Sequence, residues 1–136
     1  MTRILAVSVA LVVALGVGWL WGSLGRWEAG RTAQAVELRS DLVEARGSAL
    51  AARVAIYNVN FGDASRHLEE AKVPLRRAAE RLRSSGRTEA ATRLDLALAK
   101  IDEAQALAGR LDQGANARAA EGIKTIDDVL ATVASP

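Results

Sequence analysis

Cysteine is absent from the chain. Disulfide staples, thiolate nucleophiles and Cys-ligated metal are therefore excluded. Proline occurs only at Pro74 and Pro136, so almost nothing interrupts helix formation. Aromatic residues make up 4% of the chain, and strand formers never alternate in runs, which argues against a β fold. His67 is the only histidine. No Gly-rich phosphate loop exists, because the clustered glycines between 16 and 25 lie in an apolar stretch. Neither sign of charge dominates, with 18 basic and 16 acidic side chains. Two of the basic ones, Arg3 and Arg26, flank that apolar stretch, so residues 27–136 are neutral as a set. A neutral domain has no global field to draw in nucleic acid or acidic substrates, and no nucleic-acid partner is expected. Ala and Arg are abundant while Lys is scarce, a bias typical of GC-rich bacterial coding.

What the chain does have is one long hydrophobic run. Residues 4–24 carry no charged side chain. As a helix they would span roughly 31 Å, the thickness of a hydrocarbon core. Trp19, Trp21 and Trp27 sit towards the C-terminal end, where indoles favour the headgroup layer. A transmembrane anchor is the expectation, and the lipid bilayer is the first expected partner. The alternatives are a buried soluble helix and a cleaved signal peptide, the latter with Ala14-Leu15-Gly16 or Gly16-Val17-Gly18 as a small-x-small cleavage site. Against cleavage, the apolar character continues through Trp19-Leu20-Trp21, longer than such a segment needs.

Ala6, Ala10, Ala14, Gly18 and Gly22 recur every four residues within the run. Small residues at this spacing form a groove in which a second membrane helix can pack closely. A homo-oligomer or a protein partner is expected through this stripe and the bundle surface. Arg3 and the amino terminus favour a cytoplasmic N-terminus, whereas Arg26, Arg31 and Arg39 pull the other way. The short basic tail before an export-like segment leads to a single-pass protein of the bacterial inner membrane. Its following domain is expected on the periplasmic side, with the cytoplasmic side as the alternative.

The expected order is a basic tail over 1–3, the anchor over 4–24, a juxtamembrane segment over 25–30 and a helical bundle over 31–134. Helices are predicted at about 27–58, 63–85, 88–112 and 115–134, joined by short loops, so that neighbours run antiparallel. The fold class is all-α: an up-down four-helix bundle, or a three-helix one if the last two helices merge. The first helix carries Val36, Val43, Leu50 and Tyr57 at heptad spacing, and a second stripe of Leu38, Leu42, Ala45, Ala49, Ala52 and Ile56. Together they predict a broad buried face. Phe61-Gly62-Asp63 reads as a turn, with Gly62 at positive φ and Asp63 as a cap. Ala64, Leu68, Ala71, Leu75, Ala78 and Leu82 keep a 4-3-4-3-4 spacing across Pro74, which predicts one kinked helix rather than two. Ser84-Ser85-Gly86 should end it, and Thr88 should cap the next. That helix carries Leu94, Ala97, Ile101, Ala104, Ala108 and Leu111; Gly114 should end it, and Asn116 should cap the last. The last helix carries Ala119, Ile123, Ile126, Leu130 and Val133. Ala alternating with Leu or Ile draws helix axes together and leaves little room for a cofactor. None is expected.

Few constellations carry chemistry. His67 and Glu70 lie one turn apart, but bundle metal sites use Glu-x-x-His in pairs. The acidic pairs Glu69-Glu70, Asp102-Glu103 and Asp127-Asp128 are sequence neighbours, which point about 100° apart on a helix and do not converge. No serine or threonine has a base in sequence to activate it. Catalysis is not expected. The sharpest charged feature is a basic arc of Lys72, Arg76, Arg77, Arg81, Arg83 and Arg87, opposed only by Glu80. It can meet anionic lipid or an acidic partner, or pair with acidic faces of the two following helices within the bundle.

Asn60-Phe61-Gly62-Asp63-Ala64, followed by Leu68 and Ala71, resembles the turn and second helix of a tetratricopeptide repeat. The likeness covers about 12 residues, and the roughly 34-residue period of that family does not recur. An anchor running into a four-helix bundle is similar in layout to the sensor domains of bacterial chemoreceptors. No second span follows, so the likeness is architectural and implies no function. The expected role is a non-enzymatic scaffold, accessory subunit or adaptor in a bacterial envelope assembly. A ligand-sensing bundle is the alternative, with Tyr57, Asn58 and Asn60 near its pocket. A secreted bundle released by cleavage is the third reading.

Overall fold

A computed structural model describes residues 32–134. The predicted tail, anchor and juxtamembrane segment lie outside these residues. So do Ala6, Ala10, Ala14, Gly18, Gly22, Trp19, Trp21 and Trp27. Among the described residues no helix is long and apolar enough to cross a membrane. The bundle belongs to the compact unit Ala35–Pro136.

Four helices account for nearly all the described residues: α1 over 32–57, α2 Phe61–Ser84, α3 Thr88–Ala108 and α4 Ala115–Ala134. Cross-helix bonds establish the topology. Glu37 meets Arg81 while Glu44 meets Arg77, so α1 and α2 run in opposite directions. Lys72 meets Asp102 while Arg83 meets Asp95, and α2 and α3 do the same. Lys100 with Glu121 and Arg118 with Glu103 tie α3 to α4. Arg46 with Asp127 and Arg53 with Asn116 close the ring between α4 and α1. The result is an antiparallel up-down bundle in which each helix touches two neighbours.

The core follows the small-large alternation. Leu42, Ile56, Leu68, Leu75, Leu82, Leu94, Ile101 and Ile126 are fully buried, and alanine supplies more than half of the buried apolar side chains. Such small side chains let helix axes approach towards the lower end of the ~8–10 Å range. At Gly122 the approach of α4 to α3 is close: an added Cβ would lie 3.1 Å from Ile101 Cδ1 and 3.4 Å from the Ala97 carbonyl oxygen. Pro74 is buried, and α2 continues unbroken through it. The 4-3-4-3-4 set of α2 is wholly inside.

Ser84-Ser85-Gly86 ends α2 as expected, and the other helix ends differ from the expectations. All three turns between helices close with the same pair of bonds, a left-handed residue at the end of the helix donating three residues back and its successor donating five back. Val59 and Asn60 donate to Ile56 and Ala55, Gly86 and Arg87 to Arg83 and Leu82, and Leu111 and Asp112 to Ala108 and Leu107. The left-handed residues are Val59, Gly86 and Leu111. Gly62 is thus not the turn residue, and Asp63 is not the cap. Asn60 caps α2, accepting from the Asp63 amide at 3.2 Å, and Phe61 begins the helix with its ring buried. Thr88 is the first helical residue rather than the cap, a position held by the Arg87 backbone without a side-chain bond. Helix α3 stops at Ala108, not near 112, so Leu111 leaves the core register and is exposed. Before α4, Asp112 accepts from the Gly114 amide at 2.7 Å. Asn116 is no cap, because its Oδ1 accepts from Arg53 Nε at 2.7 Å. On α4, Val129 is fully buried where Leu130 and Val133 were expected, and these two are partly buried.

Candidate interaction surface

Helix α1 has two faces, and only one is used by the bundle. Leu38, Leu42, Ala45, Ala49, Ala52 and Ile56 are buried. Val36, Val43, Val54 and Tyr57 are exposed, by 64, 53, 60 and 80%, and Leu50 is partly buried. The expectation of one broad buried face is therefore corrected. Residues two apart, such as Val36 and Leu38, point about 200° apart on a helix and cannot share a face. A corner helix of a four-helix bundle buries one stripe, and the Leu38 stripe takes that place.

The outer stripe is longer than the heptad set suggested. Val36, Ser40, Val43, Gly47, Leu50, Val54 and Tyr57 follow one another at 4-3-4-3-4-3 spacing, and all but Leu50 are exposed. Nothing lies within 4 Å of a Cβ built on Gly47. Glu37 and Glu44 border the stripe on the α2 side, where they accept from Arg81 at 2.5 Å and Arg77 at 3.0 Å. Arg46 and Arg53 border it on the α4 side, donating to Asp127 and Asn116. Arg39 continues that basic border and is exposed; it has no ion-pair partner among the described residues. At the far end, Leu50, Arg53, Val54, Tyr57 and Asn116 line an open groove of about 310 Å³.

Four residues of the basic arc are turned into the bundle's own pairing. Lys72 is almost fully buried and bonds Glu69 at 2.5 Å, Gln105 at 2.6 Å and Asp102 at 3.1 Å. Burial pushes its ammonium down, but the bonds to Glu69 and Asp102 outweigh this and leave it above the usual lysine value. Arg77 and Arg81 both hold the buried Asp41, at 2.9 and 3.0 Å. The Asp41 bond leads in raising Arg81 above its ordinary value. Arg83 Nη2 donates to both carboxylate oxygens of Asp95, at 2.7 and 2.6 Å. The acidic partners on other helices come from α1 and α3, whereas sequence order pointed to α3 and α4. Arg76 and Arg87 are exposed and make no ion pair among the described residues.

The remaining polar groups follow the same pattern. His67 Nδ1 lies 2.9 Å from Glu70, which also accepts from Arg66. Their hydrogen bonds hold the exposed Glu70 carboxyl below its usual range, His67 first. The two carboxylates of each acidic pair face different partners: Glu69 faces Lys72 and Glu70 faces Arg66, while Asp127 faces Arg46 and Asp128 faces Lys124. Among the described residues no set of three or more His, Asp or Glu side chains is placed to hold a metal ion, and no buried side-chain polar atom lacks a partner. Comparison with known proteins gives no match: no family model, curated protein or solved structure matches the chain.

Proposed function

We propose that the chain is a non-enzymatic, membrane-anchored helical bundle that serves as a scaffold, accessory subunit or adaptor in a bacterial envelope assembly. One observation carries the reading. Of the outer stripe of α1 only Leu50 packs against the core, and the stripe holds Val36, Val43, Val54 and Tyr57 in solvent. A contiguous exposed apolar stripe is what a protein contact uses. The apolar run over 4–24, with its small-residue stripe, supplies the membrane attachment and a second contact. Residues with chemistry are engaged with neighbouring side chains: Lys72 with Glu69 and Asp102, Asp41 with Arg77 and Arg81, and His67 with Glu70.

The test is purification of the C-terminally tagged full chain from membranes in mild detergent. The chain is expected in the membrane fraction, with a protein partner or a further copy of itself. Joint replacement Val43→Glu with Val54→Glu should release what α1 holds, and Gly18→Leu with Gly22→Leu should release what the anchor holds. A monomer without partners overturns the reading, and a shortened N-terminus by mass spectrometry favours a secreted bundle. The groove beside Tyr57 supports the ligand-binding alternative. At about 310 Å³ it is at the small end of ligand sites, and neither Asn58 nor Asn60 lines it.

A further inference from the structure

We infer that the outer face of α1 is a homodimer seam, in which α1 packs parallel and in register against α1 of a second copy. The inference deepens the scaffold reading by naming the partner, and it rests on that reading only for the membrane setting.

The spacing comes first. Val36, Ser40, Val43, Gly47, Leu50, Val54 and Tyr57 alternate steps of four and three. This 3.5-residue average keeps side chains on one line only when two helices wind around each other. Val36, Val43, Leu50 and Tyr57 occupy one of the two seam positions throughout. Ser40, Gly47 and Val54 occupy the other, and their small size permits close approach. The seam runs about 33 Å along the helix. It is pre-formed, since the inner face of α1 is already locked in the core, so pairing costs little ordering entropy.

Charge then selects the partner and its direction. Glu37 and Glu44 flank the seam on one side, and Arg39, Arg46 and Arg53 on the other. In a parallel pair, each flanking residue on the Arg side faces the residue five positions later on the Glu side of its partner. Arg39 of one copy then meets Glu44 of the other, twice by symmetry, while Arg46 faces Ala51 and Arg53 the polar Asn58. An antiparallel pair would set Arg against Arg and Glu against Glu. A surface that is complementary to itself under a two-fold operation is an isologous dimer surface. Glu44 has capacity for this, because only its Oε2 is used by Arg77 and its side chain is 58% exposed. Arg39 supplies the matching cation, exposed and without an ion pair among the described residues. A parallel pair also brings both chains into α1 from the same end, as two copies inserted in one bilayer require.

The absence of cysteine makes the test clean. Val36→Cys, Gly47→Cys and Tyr57→Cys are introduced singly into the full chain, with Val73→Cys and Leu96→Cys as exposed controls on α2 and α3. Each is oxidised in native membranes, or in whichever fraction holds the protein. Disulfide dimers are expected at Val36→Cys and Tyr57→Cys and not at the controls. Arg39→Glu added to Val36→Cys should lower the dimer yield roughly fivefold, the weight of two exposed ion pairs. Cross-linking at Gly47→Cys without the two end positions would mean an antiparallel pair and overturn the inference. Equal cross-linking at the controls, or none on the seam, also overturns it. A membrane-bound chain that fails on the seam leaves the scaffold reading standing without this partner. A soluble, processed chain that still cross-links at both ends keeps the dimer and removes the anchor.

Discussion

Val59 and Leu111 hold the left-handed conformation at φ 59°, where an L side chain costs about 1–2 kcal/mol. Val59 is β-branched, which makes the position more unusual still. Their side chains are 65 and 70% exposed, so the core does little to repay that cost. Replacing either by glycine is expected to raise stability by about 0.5–1 kcal/mol after allowing for the greater freedom of unfolded glycine. Gly86→Ala, at φ 76°, should lower it by about 1 kcal/mol. Denaturant midpoints of the full chain in detergent measure all three, and a lower midpoint for Val59→Gly would remove the strain argument. Gly86 was legible in the sequence because glycine advertises its conformation. Val59 and Leu111 carry no such signal: the bonds that Asn60 and Asp112 donate back to Ala55 and Leu107 place them there.

At the scale of the element, two mid-helix glycines have opposite surroundings. Gly47 on α1 faces open space, whereas Gly122 on α4 faces Ile101 at 3.1 Å. Gly47→Ala should therefore gain the helix-propensity difference, about 1 kcal/mol. At Gly122→Ala the same gain is opposed by overpacking of roughly 1–3 kcal/mol, and a net loss of about 1 kcal/mol is expected. Adding Ile101→Val should recover part of it. Equal stabilisation at both glycines in thermal melts would mean that α3 and α4 are not held as close as Gly122 allows. The inner stripe of α1, the whole apolar set of α2 and the span of α4 were readable from periodicity, since each is buried on one face. The direction of the outer stripe was not. Val36 and Leu38 look equally apolar in sequence, and only the placement of α2 and α4 decides which faces inward.

For the molecule as a whole, pairing between helices ties stability to acid. Glu69 is held below the usual carboxylate range chiefly by its bond to Lys72, and Glu121 chiefly by Arg118. A carboxyl lowered on folding stabilises the fold above its unfolded value, ~4.3, and that contribution is lost as pH falls through the lower folded value. Lys72 is raised, so its contribution is full below the ordinary lysine value and is lost only as pH rises beyond it. The melting temperature should hold steady through the neutral range and fall as the pH drops below about 4. Glu69→Gln together with Glu121→Gln should flatten the acid limb. A melting temperature unchanged between pH 7 and pH 3 would show that these pairs carry no stability.

The sequence by itself determined the class of the fold, because apolar residues at helical spacing, almost no proline and short loops allow little else. It also determined the alanine-rich core and the apolar run over 4–24, both properties of local composition. Tertiary structure alone decided which helices are neighbours, and so sent Arg77 and Arg81 to Asp41, Glu37 and Glu44 on α1 and Arg83 to Asp95 on α3. It alone left the stripe from Val36 to Tyr57 outside. The physical reason is that periodicity reports how many faces a helix has to bury. It does not report how many neighbours the bundle supplies to bury them.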